Sequence, residues 1–266
     1  MKTDYFSYYL QQFFMKYLRT QRGYGINTIA SYSMTFSLFI RFIGSNTVSK
    51  LKLKDLKKQT VTDFLDWLQK DRNNSDSSRN VRLAHLKSFF EFVLIEEPSL
   101  IDICRSMATI PFKKVPNKPP VSLSEEAVKE ILNIPRTDTA EGLRHSTILA
   151  VLYDSACRVQ ELIDLKIDNI YFGKYCHIRV NGKGNKQRDI PLLGATSHLM
   201  KAYIKKFKLD DGDLLFESRT GGRMTRQGVS YILKKYASEA SCANTGLIDK
   251  DILISPHILR HSKATH

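Results

Sequence analysis

The sequence predicts a mainly α-helical protein with one small β-hairpin, divided into a helical N-terminal domain and a larger α+β domain. Three observations predict it. Apolar residues recur at steps of three and four through most of the chain. One segment, Tyr175–Leu192, alternates instead and carries a Gly-rich basic turn at its centre. Between the two halves, Ile110–Leu123 holds four prolines and three lysines. Proline removes amide donors and favours extended backbone, so this stretch reads as a stiff, positively charged linker.

The first hundred residues read as four helices with short connections. An aromatic helix lies around Tyr9–Leu18. The second carries Ile29, Tyr32, Phe36, Phe39 and Ile43 between a cap at Asn27 and a stop at Gly44. Thr60 with Asp63 has the spacing of a capping box, ahead of Phe64, Leu65 and Leu68. Leu83, Leu86, Phe90, Val93 and Leu94 mark the fourth, which ends before Pro98. The lysines at 50, 52, 54, 57 and 58 read as a solvated face. We place the helical domain at 1–105, the linker at 106–121 and the second domain at 122–266.

In the second domain, Ser122 and Glu125 have the spacing of a capping box before Val128, Ile131 and Leu132. A further helix carries Leu149, Leu152 and Tyr153, and the stretch from Ser155 to Ile170 reads as a turn into a short helix. After the hairpin come helices near Thr196–Phe207 and Arg226–Ala240. A final helix has Ser255 at its cap and Pro256 in its first position.

Composition narrows the function. Lys plus Arg total 41 against 27 acidic residues, a formal charge of +14. The excess is present in both halves: residues 1–110 carry 16 basic and 10 acidic side chains, and residues 111–266 carry 25 and 17. Such a balance points to a polyanionic partner, because each neutralised phosphate releases counterions. The four cysteines (104, 157, 176 and 242) form no C-x-x-C pair, which argues against a structural zinc or a disulfide framework and for a reducing, cytoplasmic setting. No apolar run is long enough to span a bilayer, and the first ten residues lack a secretory core.

Three places carry chemistry-bearing residues: Arg158 in "CRVQELIDL", Lys183 in "NGKGNKQRDIPL", and His257 with Arg260 in "HILRHSKATH". Each has an ordinary reading by itself. Arg158 and Glu161 have the spacing of an intrahelical ion pair, Lys183 and Lys186 could be solvated turn lysines, and His257 and Arg260 could decorate any helix. Together and in this order they resemble the tyrosine site-specific recombinase (phage integrase) family. "CRVQELIDL" resembles its first arginine box, R-x-x-E-L. The Gly-rich hairpin resembles its lysine segment, with Lys183 in the matching place. "HILRHSKATH" resembles its second box, H-x-L-R-H-x-x-A-T. The order of helical domain, basic linker and second domain matches as well.

That resemblance implies an N-terminal helical core-binding (SAM-like) domain followed by an α+β tyrosine-recombinase catalytic domain. It implies cleavage of a DNA phosphodiester through a 3′-phosphotyrosyl intermediate, with no metal and no cofactor. Arg158 and Arg260 would clamp the phosphate, a task for which guanidinium is suited by permanent charge and bidentate geometry. Lys183 would protonate the 5′-oxygen leaving group, with Lys186 on the same turn as its competitor for that role. His257 would orient or take the nucleophile's proton, and Glu161 and His261 would support these groups. Lys113, Lys114, Lys118, Lys186 and Arg188 are further candidates for contact with DNA. The partners implied are duplex DNA at recombination sites and further copies of the chain, as dimers and tetramers, in a bacterial cytoplasm at the nucleoid.

The sequence departs from the family at one point. There the nucleophilic tyrosine follows the second box by several helical turns, and here the second box is followed by His266. Tyr231 and Tyr236 precede that box and read as core or surface aromatics. The expectation is therefore that the chain as written does not cleave through the family's tyrosine. A catalytically dead, DNA-binding remnant is the alternative function. A type IB topoisomerase is a further one, which the hairpin and the small helical domain fit less well. A zinc enzyme built on His257 and His261 lacks a third ligand and would set Arg260 against a cation.

Overall fold

The computed structural model describes residues 5–44, 48, 50–116, 121–182, 186–218, 221–249 and 251–266. The chain forms two compact units, Met1–Asn117 and Lys118–His266. No helix of the described residues is long and apolar enough to cross a membrane.

Besides two 3-10 turns (Leu53–Asp55 and Pro98–Leu100), the first unit has five longer helices among its described residues: α1 (Phe6–Gln12, continued through Phe13–Gln21), α2 (Ile26–Ile43), α3 (Lys58–Lys70), α4 (Asp76–Glu96) and α5 (Ile101–Ala108). The last was not expected from the sequence, because its eight residues are too few to establish a period. In the continuation of α1 the backbone widens to i→i+5 bonding, as in Arg22 N–H to Tyr17 O at 2.8 Å. The sequence explains this. Phe6, Tyr9, Phe13 and Leu18 are all buried, and the last step of five residues stays on one face only in a wider helix. Phe13 sits at the centre of the core, with Tyr17, Tyr32, Phe36, Phe89 and Phe92 within 5.4–6.0 Å of its ring centroid.

Two helix starts differ from expectation. Gly25, not Asn27, caps α2, and α3 starts after Lys57, so Thr60 lies inside it. The extended backbone of the preceding residue decided both starts, with no side-chain cap in either. Asp63, expected to complete the box with Thr60, accepts from Gln59 Nε2 at 2.7 Å instead.

The start of the linker is fastened to α4. Asn80 bonds both backbone groups of Lys113, Nδ2 to O at 2.7 Å and N–H to Oδ1 at 2.9 Å. Buried Arg79 donates to Pro111 O at 3.1 Å, Lys113 Nζ lies 3.4 Å from Asp76, and Lys87 sits over the Phe112 ring at 4.7 Å.

The second unit consists of α6 (Glu125–Asn133), α7 (Ala140–Ser155), α8 (Val159–Ile163), β1 (Ile170–Phe172), β2 (Cys176–Asn181), β3 (Gln187–Pro191), α9 (Gly194–Phe207), α10 (Arg226–Ala243) and α11 (Pro256–Thr265). The cap of α6 is Ser124, whose side chain accepts from Ala127 N–H, rather than Ser122. Ser255 stands at the cap position of α11 without a side-chain bond, and Pro256 follows it in the first turn. The hairpin gains a third, short strand that three residues of sequence could not announce, giving an antiparallel sheet in the order β1-β2-β3. Cys176, Ile178 and Val180 point inward along β2, and the register pairs Val180 with Arg188 and Ile178 with Ile190. Strand alternation thus puts Arg188 and Ile190 on the inward face, while Asp189 turns outward to a bidentate pair with Arg179 at 2.8 and 2.9 Å.

The helix α7 runs through the middle of this unit, buried along most of its length, with α6, α9 and α11 packed on it. Its end organises its neighbours. Asp154 accepts from the Leu193 amide at 2.7 Å, at the entrance of α9, and meets Lys263 of α11 at 3.6 Å.

Phe13→Ala is expected to destabilise the first unit by about 3–5 kcal/mol, as for other buried aromatic truncations. Urea unfolding followed by far-UV circular dichroism would read this, and an unshifted midpoint would contradict the central role of Phe13.

Candidate functional site

Arg158 occupies the cap position of α8, immediately after a sharp exit from α7. That exit uses Ala156 in the left-handed region (φ 46°), a conformation costing an alanine roughly 1–2 kcal/mol. Cys157, 1% exposed, follows it and anchors the turn by donating its amide to Ser155 Oγ at 3.2 Å.

Glu161 is the pivot. Its carboxylate is buried and receives four hydrogen bonds. Arg158 donates its backbone N–H at 2.7 Å and Nη1 at 3.0 Å. Arg188 of β3 donates Nη1 at 3.0 Å and Nη2 at 2.7 Å. Burial by itself would push the Glu161 carboxyl up. The bonds from Arg188 and from the Arg158 amide and guanidinium overcome this and hold it down at about 2. One carboxylate faces two guanidinium groups, so one positive charge is left over. Arg188 engages the carboxylate with both Nη groups and Arg158 with Nη1 alone, which leaves the Arg158 guanidinium the less committed of the two.

Arg260 comes to the same region from α11. Its charge is felt by the buried Cys157 thiol, as are those of Glu161 and Arg188. Arg260 is half-buried, and its Nη1 is buried with no hydrogen-bond partner among the described residues. An unfilled donor on a buried cation is costly, and an anionic oxygen is the group that fills it best. His257 and His261 are exposed on α11, one turn apart, and neither ring has a hydrogen-bond partner among the described residues.

The structure therefore gathers Arg158, Glu161, Arg188 and Arg260 around the α7–α8 turn. Gly182 closes the base of the hairpin loop by donating to Lys186 O at 2.8 Å, and a Cβ there would stand 3.1 Å from Arg188 Nη1. Lys183 lies outside the described residues, as does Lys118. Lys114 and Lys186 are exposed, and Lys113 is engaged with Asp76 and Asn80. Arg188 was read from the sequence as a DNA contact. The structure gives its guanidinium a protein partner, a placement that alternation with Ile190 on β3 could have signalled. Arg223 and Arg226, not singled out in the sequence, are bonded to α8 through Asp164 and Gln160.

Residues 122–266 match the model of the phage integrase family, and residues 10–97 match that of the phage integrase N-terminal SAM-like domain. The chain is 34% identical to tyrosine recombinase XerD of Haemophilus ducreyi, over 95% of this chain and 82% of that protein. It is 32% identical to tyrosine recombinase XerC of Herpetosiphon aurantiacus, over 95% of this chain and 79% of that protein. Among solved structures its fold is similar to a lambda integrase dimer bound to a COC′ core site, with a TM-score of 0.73, 15% identity, and 97% and 69% of the two chains covered. It is also similar to XerH recombinase bound to a palindromic difH substrate, with a TM-score of 0.69, 20% identity, and 92% and 69% covered.

Replacement of Glu161 by Gln is expected to remove about 3 kcal/mol from the second unit at neutral pH, the worth of a carboxyl held at about 2 rather than 4.5. Because the folded-state value is depressed, this contribution is present above pH about 4.5 and is lost as the pH falls towards about 2. Thermal unfolding against pH should show an acid limb over that window in the wild type and a flatter one in the variant. Identical limbs would mean that the carboxylate is not held as described.

Proposed function

The chain belongs to the phage integrase family of tyrosine recombinases, and from that premise we propose that it is a site-specific DNA recombinase whose second unit binds the scissile phosphate between Arg158 and Arg260. The observation that carries this reading is the arrangement at the α7–α8 turn. Arg158 follows Cys157 in the chain and shares Glu161 with Arg188, and Arg260, whose charge reaches the same Cys157 thiol, keeps an unfilled donor. A phosphodiester gathers further negative charge as it becomes pentacoordinate. Donors fixed in advance by Glu161 and by the packing of α11 stabilise that state without reorganising.

In the reaction of the family, a tyrosine oxygen attacks phosphorus, the 5′-oxygen leaves with a proton, and the 3′-phosphotyrosyl bond keeps the energy for rejoining. In this chain we assign the leaving-group proton to Lys183, a lysine at a hairpin turn, and the handling of the tyrosine proton to His257. Glu161 and Arg188 act through Arg158 as positioning residues. The catalytically dead remnant is not the favoured alternative, since the relatives that match nearly the whole chain are named as tyrosine recombinases.

Solved neighbours include a lambda integrase dimer bound to a core site and a lambda integrase tetramer bound to a Holliday junction. Duplex DNA and further copies of the chain are the partners we propose here, in a bacterial cytoplasm at the nucleoid. Lys114 and Lys186, both exposed, are candidates for backbone contacts that position the duplex without reading it.

Fluorescence anisotropy with a labelled duplex tests the reading. Affinity should fall steeply between about 50 and 200 mM salt, and Arg158→Ala and Arg260→Ala should each weaken binding by about tenfold. A flat salt response would remove the nucleic-acid reading. Wild-type affinity in both variants would remove the clamp.

A further inference from the structure

At the opposite end of α7 from Arg158, the second unit holds a cavity of about 740 Å³. It lies between the first turns of α7, the end of α9 and the start of α10. That volume suits a small organic molecule. Its wall is largely aromatic. Tyr203 is buried, Phe207 packs against it with ring centroids 4.6 Å apart, and Tyr231 is 69% exposed.

The polar groups of the lining are mostly acceptors. Glu141 and Glu217 are exposed, and neither carboxylate has a Lys or Arg partner among the described residues. His145 is 5% exposed. Its Nδ1 meets Tyr236 Oη at 3.0 Å, while Nε2 has no hydrogen-bond partner among the described residues. Burial pushes the His145 imidazole down, so the neutral ring does not offset Glu141, whose Oε1 is 3.9 Å from Nδ1. With its single proton on Nδ1 and donated to Tyr236, the ring leaves Nε2 as an acceptor.

Arg144 is the one cation among the described lining residues, and it is already engaged. Its Nη2 donates to Glu217 O and lies 4.0 Å from Met224 Sδ, and its charge acts on the Tyr203 hydroxyl. The cavity is thus net negative in a chain whose formal charge is +14. Such a lining repels a phosphate backbone and attracts a cation.

We propose that this cavity binds a small organic cation, an apolar body that carries a primary ammonium group. The body lies against Tyr203, Phe207 and Tyr231, whose ring faces also favour positive charge. The ammonium supplies the donors that Glu141, Glu217 and His145 Nε2 lack. The site is separate from the phosphate clamp and does not depend on the DNA reading.

Saturation-transfer difference NMR on the whole chain tests this with three probes of similar size: 2-phenylethylamine, 2-phenylethanol and 3-phenylpropionate. At neutral pH these are a cation, a neutral molecule and an anion. The amine should bind with a Kd of about 1 mM, as suits a ligand of its size, and about fivefold more tightly than the alcohol, with the propionate weakest. Glu141→Gln combined with Glu217→Gln should bring the amine to the affinity of the alcohol. Gly228 lines the cavity, and a Cβ there meets nothing closer than 3.4 Å, so Gly228→Leu should fill the space and remove amine binding. Tyr231→Ala, at an exposed side chain, keeps the test open if that variant does not fold, and should weaken the amine several-fold. Propionate binding as tight as that of the amine, an unchanged amine affinity in the double Gln variant, or no binding of the amine up to about 10 mM would overturn the inference. So would amine binding that persists in both Gly228→Leu and Tyr231→Ala, which would put the ligand elsewhere on the chain.

Discussion

The second unit turns on one buried carboxylate. Removing Glu161 from water is costly, and the cost is offset only because four donors reach it from two separate elements. Those donors join the start of α8 to the inward face of β3. The same bonds hold the Arg158 guanidinium in place and fix the base of the hairpin whose loop contains Lys183. A carboxylate with one cation would give a neutral pair. Shared between two, it leaves a site that is rigid and still positive, the two properties that phosphate stabilisation requires.

The boxes come together because α7 ends where it does. Asp154, Ser155, Ala156 and Cys157 are consecutive, and each fixes a different neighbour. Asp154 holds α9 and α11, Ser155 supports the turn, Ala156 reverses the chain, and the buried Cys157 thiol lies within the fields of Arg188 and Arg260. On the other side, α11 is tied to the incoming chain. Ser262 Oγ accepts from the Leu123 amide at 2.8 Å, and the His266 ring meets Leu123 O at 3.0 Å and Tyr153 Oη at 2.8 Å. The second box is thereby registered against α7 by backbone contacts on the linker side as well as by packing. This explains why residues so far apart in sequence share one electrostatic environment.

Much of this was legible in the sequence, for identifiable reasons. The long helices α2, α4, α7 and α10 have enough turns for their apolar period to stand out, and the hairpin alternates over enough residues to be distinct from them. The order of the three motifs carried the family and the fold. What escaped was short or decided by the backbone. The five-residue α8, the three-residue β1 and the eight-residue α5 cannot show a period. The caps at Thr60 and Ser122 failed because a serine or threonine with an acid three places on is a common coincidence, and tertiary packing chose other starts. The widened turn of α1 was hidden in the buried spacing from Phe13 to Leu18, which a search for steps of three and four passes over.

Electrostatics shows most clearly why residue type alone is a partial guide to a site. A formal charge of +14 says that the chain favours a polyanion, but not which cations are free to meet it. Arg179 is neutralised by Asp189, Arg136 by Asp138, Lys113 by Asp76 and Arg188 by Glu161. Each of these charges serves the protein's own structure. At the α7–α8 turn the balance is different: Arg158 shares the Glu161 carboxylate with Arg188, and Arg260 keeps a buried Nη1 with no hydrogen-bond partner among the described residues. Arginine suits this arrangement where lysine would not. Its planar fork can be pinned along one edge by a carboxylate or an amide and still present the other, whereas an ammonium offers no second edge to hold. The fold thus separates two settings of positive charge by the partners it supplies: a carboxylate of its own where the cation holds the structure, and a shared carboxylate or an unfilled donor at the α7–α8 turn.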